Sequence, residues 1–162
     1  MTEAPWGGQD SRPAENPPQG GAPGVPAPHG DVYTWYQRGL ELLGRGSPAA
    51  AAQLLERAAE AEPGSRSVLE ALARAQFDTR RYDKAAATFR RIVEASPSDD
   101  YAQFGLGLAL ARSGDPQAAA EHLALAAAMR PELRHYTDAL RGVRATLKAR
   151  SEAAGEPPGA PA

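Results

Sequence analysis

The chain has 162 residues, a net charge of −2 and no cysteine, and its proline and glycine are crowded toward the ends. That length fits one ordinary domain. The missing cysteines exclude a disulfide framework, a thiolate metal site and a thiol nucleophile, and no run of 18 apolar residues is present that could span a membrane.

Residues 1–30 hold seven prolines and six glycines, and after Met1 their only large apolar side chains are Trp6 and Val25. Such a segment buries too little surface to offset the entropy of ordering it, so a disordered tail is expected there. The short Pro23-Gly24-Val25-Pro26 piece reads as a ligand for a proline-reading domain or, more simply, as a tether or solubilising tail. The opening Met1-Thr2-Glu3-Ala4-Pro5-Trp6 has neither a basic start nor an apolar stretch, so no secretory signal is expected and the expected compartment is cytoplasmic. Arginine outnumbers lysine 16 to 2, the bias of a GC-rich bacterial genome.

From 31 to 150 the composition changes to Ala, Leu and Arg, which are strong helix formers, and the five prolines all fall at turn positions. Helices are expected over 32–44, 48–61, 66–79, 82–95, 99–112, 116–129 and 133–149. Ser47-Pro48 and Asp115-Pro116 each place a capping residue before a proline at the first helical position. Gly46 and Gly114 supply the preceding turns, whereas Arg80-Arg81-Tyr82 stands at the matching place in the middle of the chain and predicts a stiffer or differently shaped turn. The last helix has Tyr136, Leu140, Val143 and Leu147 on one face and Arg134, Arg141, Arg144 and Lys148 on another. Residues 151–162 read as a second disordered tail.

A fixed step underlies this order. Pro63, Pro97 and Pro131 are 34 residues apart, and Ala51, Ala85 and Ala119 precede them by twelve. Leu55, Phe89 and Leu123 precede them by eight, and Ala58, Ile92 and Ala126 by five. A 34-residue period marks a helix-turn-helix array. It divides the domain into units 32–65, 66–99 and 100–133 and a final helix at 134–150. Gly39, Ala73 and Gly107 share one mid-helix position, where glycine costs about 1 kcal/mol relative to alanine, so a closely packed neighbouring helix is expected at each.

The pattern resembles the tetratricopeptide repeat family over the whole region 31–150. The first unit supplies Trp35, Gly39, Leu42, Ala51, Leu55, Ala58 and Pro63 at the family's positions 4, 8, 11, 20, 24, 27 and 32. The third departs with Gln103 at position 4, and the second with Gln76 and Ile92 at positions 11 and 27. The resemblance implies an all-α, right-handed α-solenoid of three repeats closed by a capping helix over its last apolar surface. It further implies that positions 2, 5, 9 and 12 of each unit face a concave groove. These are Tyr33, Tyr36, Leu40 and Leu43, then Ser67, Glu70, Arg74 and Phe77, then Tyr101, Phe104, Leu108 and Ala111. Phe77 and Phe104 are equally readable as packing between helices, whereas tyrosine tolerates a wet groove better.

No catalytic, metal or cofactor constellation emerges. His29, His122 and His135 have no metal-ligand spacing and read as solvated or edge histidines. Gly105-Leu106-Gly107 is half a dinucleotide fingerprint without a strand before it, and Asp99-Asp100 stands where a helix starts and reads as capping. The expected function is therefore a non-catalytic scaffold or adaptor holding another protein's peptide or helix segment. The Lys and Asn clamp by which some family members hold a carboxylate is absent, since Tyr36, Leu40, Tyr101 and Gly105 occupy its positions. An extended or helical apolar ligand fits better than an acidic tail. The basic stripe Arg134, Arg141, Arg144 and Lys148 offers an alternative, binding to nucleic acid or an anionic surface, and a solvated face explains it more simply. Self-association through an exposed end stays open.

Overall fold

The apolar spacing is realised as seven helices in the computed structural model, which describes residues 5–6 and 31–155. They are α1 (Val32–Gly44), α2 (Pro48–Ala61), α3 (Arg66–Asp78), α4 (Tyr82–Ala95), α5 (Asp100–Ser113), α6 (Pro116–Met129) and α7 (Arg134–Ala153). No strand occurs among the described residues. The expectation of disordered tails lies outside the described residues except at residues 5–6 and 151–155. Pro5 and Trp6 are described, and α7 runs to Ala153, beyond the expected limit of 150. A Lys148–Glu152 ion pair one turn apart, at 3.8 Å, supports that extra turn, and Gly155 at φ +73° follows it.

Local chemistry sets several helix starts. Asp31, Asp99 and Asp115 each accept a hydrogen bond from the backbone N–H three residues on, at Thr34, Ala102 and Ala118. Ser47 stands at its N-cap without such a bond, so there the proline at the first helical position sets the start alone. The turn after α3 corrects the expectation of a different shape. Arg80 adopts φ +62°, alongside Gly46 at +72° and Gly114 at +98°. The N–H groups of Arg80 and Arg81 reach the carbonyls of Phe77 and Gln76, as those of Gly46 and Ser47 reach Leu43 and Leu42. The middle unit makes the same turn with a residue that has to be held in the left-handed region.

Packing follows the 34-residue step. Ala51, Leu55 and Ala58, with their counterparts in α4 and α6, are essentially inaccessible to solvent. Gly39 and Gly107 let the facing side chains in, since a Cβ on either would come within 2.7 Å of Leu55 or 2.6 Å of Leu123. Each helix packs against the next, and α1, α3, α5 and α7 also touch one another in succession, whereas α2, α4 and α6 do not. The first helices thus form a tight inner layer and the second helices a spread outer one. That difference curves the array toward the inner side.

The capping helix is fastened by specific bonds. Tyr136 is fully buried, stacks on Phe104 at 4.4 Å between ring centres and donates its hydroxyl to Asp100 Oδ2 at 2.9 Å. Asp100 therefore anchors α7, while Asp99 caps α5 and pairs with Arg66.

Candidate functional site

On the inner layer, α3 and α5 lie side by side, and the expected groove residues Arg74, Phe77, Tyr101 and Phe104 converge on their seam. What they converge on is Trp6. Its indole lies 5.0 Å from the Phe77 ring at 72°, 5.9 Å from Tyr101 at 37° and 6.4 Å from Phe104 at 84°. Phe89, on α4 behind the seam, comes within 5.8 Å. The indole Nε1 donates to Asp78 Oδ1 at 3.2 Å, and the Arg74 guanidinium carbon stands 5.9 Å from the indole centre. Only 8 % of Trp6 remains exposed.

The socket depends on a backbone detail. Gly105 presents no side chain to α4, and a Cβ there would lie 2.3 Å from Phe89 Cζ. The Phe89 ring therefore reaches against the backbone of α5, near Tyr101 and Trp6. Behind the seam, Phe104 is held by Tyr136 and by an edge-on contact with His135 at 5.2 Å. Phe77 is held by Tyr82 at 5.1 Å, and the Arg112 guanidinium lies over both of those rings. The socket walls are thus fixed by second contacts before any ligand is considered.

The other expected groove residues are distributed along the same layer. Tyr36 on α1 is nearly buried, and burial followed by the Glu70 charge raises its hydroxyl pKa above the usual tyrosine value. Glu70 itself pairs with Arg66 at 3.5 Å. Leu40 and Leu108 are partly buried against the core, and Tyr33, at the start of α1, is 44 % exposed. None of these makes a ring, cation or hydrogen-bond contact with the indole described above.

Three participants were not legible as such. Asp78 lies one residue past a groove position, and Phe89 figured only as a member of the 34-residue step. Trp6 stood in a segment judged too poor in apolar residues to bury anything; that average over thirty residues does not govern one large side chain meeting a ready-made pocket. His122 and His135 are partly buried, in keeping with the edge alternative of the sequence reading, and His29 lies outside the described residues. His135 packs on Phe104 and Tyr136. His122 Nδ1 stands 2.7 Å from Gln103 Oε1, while Gln103 Nε2 donates to the Pro97 carbonyl at 3.0 Å. That second bond orients the amide, so His122 donates from Nδ1.

The basic stripe is exposed, and part of it is engaged on its own helix: Arg141 pairs with Asp138 at 2.9 Å and Lys148 with Glu152. Arg134 and Arg144 are exposed as well. Among the described residues no cluster of His, Cys, Asp or Glu is arranged to hold a metal, and no helix is long and apolar enough to cross a membrane.

Comparison with known proteins agrees with this architecture. The tetratricopeptide repeat family model matches residues 36–100 and again 71–133. Among solved structures, the first such domain of Spaghetti (RPAP3) bound to the HSP90 peptide SRMEEVD superposes with a TM-score of 0.68 at 17% identity, covering 72% of this chain and 93% of that one. MamA from Desulfovibrio magneticus RS-1 gives 0.70 at 22% identity, with 77% and 71% covered. The C-terminal domain of a putative FK506-binding protein from Plasmodium falciparum gives 0.68 at 18% identity, with 75% and 91% covered. These similarities establish the shared fold. No curated protein sequence matches the chain.

Proposed function

Because the chain belongs to the tetratricopeptide repeat family, we propose that it is a non-catalytic scaffold or adaptor whose concave groove takes a segment of another protein. The observation that supports this reading is the aromatic socket on the α3–α5 seam, which buries an indole from outside the repeat array. Rigid aromatic walls with one carboxylate acceptor and one guanidinium give both apolar area and orientation, the combination found where binding energy concentrates.

The domain of RPAP3 holds an acidic peptide. Here the positions of the carboxylate clamp carry Tyr36, Leu40, Tyr101 and Gly105, and the last of these is closed off by Phe89. An apolar, aromatic-bearing segment, extended or helical, fits this groove in place of an acidic tail.

Peptides selected from a displayed library on the full chain test the reading. Truncation of Tyr101 to alanine should cost about 2 kcal/mol, roughly thirtyfold in Kd, because it removes one wall of the socket. Far-ultraviolet circular dichroism should stay unchanged, since Tyr101 is only partly buried. Ligands that ignore both Tyr101→Ala and Phe77→Ala would place the binding surface elsewhere.

A further inference from the structure

The pocket at the α3–α5 seam is filled by a residue that the repeat array does not own. Among the described residues, every other member of the buried apolar core comes from α1 to α7, and Trp6 alone comes from the N-terminal segment. Its contacts are of the kind that recognise a ligand: faces and edges of four rings around the indole, an acceptor for its N–H and a cation within reach of its π surface. Trp6 occupies the surface that the family pattern assigns to partner segments.

We propose that Trp6 is a tethered occupant of the groove, held in cis, and that the partner is a protein segment bearing a tryptophan that displaces it. This rests on the groove reading above and names both its ligand class and its regulation.

Geometry permits the tether. From Trp6 to Asp31 the chain can extend to about 80 Å, several times the spacing of packed helices. A linker of this length gives an effective concentration on the order of 1 mM. A short tryptophan segment binding an exposed groove with a Kd of about 0.1 mM would then be mostly closed, and any competitor would bind about tenfold more weakly than to an open groove. A partner overcomes that handicap by making one contact more than Trp6 does. Arg74 offers one, because its Nε is buried and has no hydrogen-bond partner among the described residues. An incoming segment that presents a carbonyl or carboxylate oxygen beside its tryptophan would satisfy it.

The two tryptophans of the chain, Trp6 and Trp35, make the test direct. In a full-length Trp35→Phe chain labelled with 5-fluorotryptophan, Trp6 gives the single fluorine resonance. It should be displaced from the free-indole position and stay so on dilution. Excess unlabelled Ac-Ala-Pro-Trp-Gly-Gly-NH2, the sequence of residues 4–8, should move it to the free position. The same peptide should bind a Trp6→Ala chain about tenfold more tightly than the parent. If Trp35→Phe fails to fold, the two resonances of the parent chain are assigned by difference against Trp6→Ala.

A resonance at the free-indole position from the outset overturns the tethered occupant, and one that returns to it on dilution means that Trp6 sits in a second copy of the chain. Equal peptide affinity for the parent and Trp6→Ala chains also overturns it. In each of these cases the groove reading survives if peptide binding still depends on Tyr101. If the peptide binds neither chain and library ligands ignore Tyr101, both readings fail.

Discussion

Two glycine-to-alanine substitutions in this chain should move stability in opposite directions. In α5, a Cβ at Gly105 would lie 2.3, 2.4 and 2.7 Å from three ring atoms of Phe89, where ordinary contact begins near 3.4 Å. The ring would have to move by about 1 Å, and it is fully buried, with Trp6 and Tyr101 against it. Overpacking of that kind costs about 1–3 kcal/mol, and alanine returns about 1 kcal/mol of helix propensity, so Gly105→Ala should lose about 1 kcal/mol net. In α7, Gly142 is exposed with no atom within 4 Å of its added Cβ, so Gly142→Ala should gain about 0.5–1 kcal/mol. For a domain of this size that separates the two melting temperatures by roughly 8 °C, centred near the parent, when followed by circular dichroism at 222 nm. A Gly105→Ala chain that melts at or above the parent would refute the close approach of α4 and α5, and with it the wall that Phe89 supplies to the socket.

Two further outcomes follow from local chemistry. Arg80 is exposed and holds φ +62°, which costs an L residue about 1–2 kcal/mol. Glycine adds about 0.5–1 kcal/mol of unfolded-state entropy. Arg80→Gly should therefore raise the urea midpoint by the equivalent of about 0.5–1 kcal/mol, and a lowered midpoint would mean that the arginine side chain is needed there. His122 titrates below the usual histidine value because of burial, with the Arg90 charge adding to it. Between the folded and unfolded pKa values the unfolded chain binds more protons. The contribution is thus complete above about pH 6.5 and is lost as pH falls toward the folded value. The drop in melting temperature between about pH 7.5 and about pH 5.5 should be smaller in His122→Gln than in the parent, and equal drops would remove His122 as the cause.

The fold was legible because the small and large residues that make it recur at one step: Gly39 needs space for Leu55 as Gly107 does for Leu123, and the period exposes both pairs without coordinates. The departures at Gln76 and Gln103 were visible too, but not their meaning. Gln76 Oε1 accepts from the Thr88 hydroxyl at 2.7 Å, and Gln103 bonds His122. Thr88 and His122 share one unit position, which in the first unit is Leu54, and the positions of Gln103 and Gln76 are there the apolar Trp35 and Leu42. The second and third units change both sides of the helix pair to polar groups together, so each buried amide has its partner and the packing is kept. That paired change was in the sequence, readable by comparing units for two positions at once.

Trp6 was hidden for a different reason. Disorder is inferred from what a segment can bury by itself, whereas an indole docking on a finished surface draws on walls that Phe77, Phe89, Tyr101 and Phe104 have already built. No periodicity links Trp6 to those residues. The sequence offers only a tryptophan among prolines and glycines, and the aromatics Phe77, Tyr101 and Phe104 at groove positions. Putting the two together requires knowing that Gly105 lets Phe89 through to the seam. The same fact joins helix packing to the socket: the glycine at the carboxylate-clamp position is the one that lets Phe89 complete the aromatic walls. On the proposed reading of the groove, this packing requirement between α4 and α5 is what favours indoles over acidic tails.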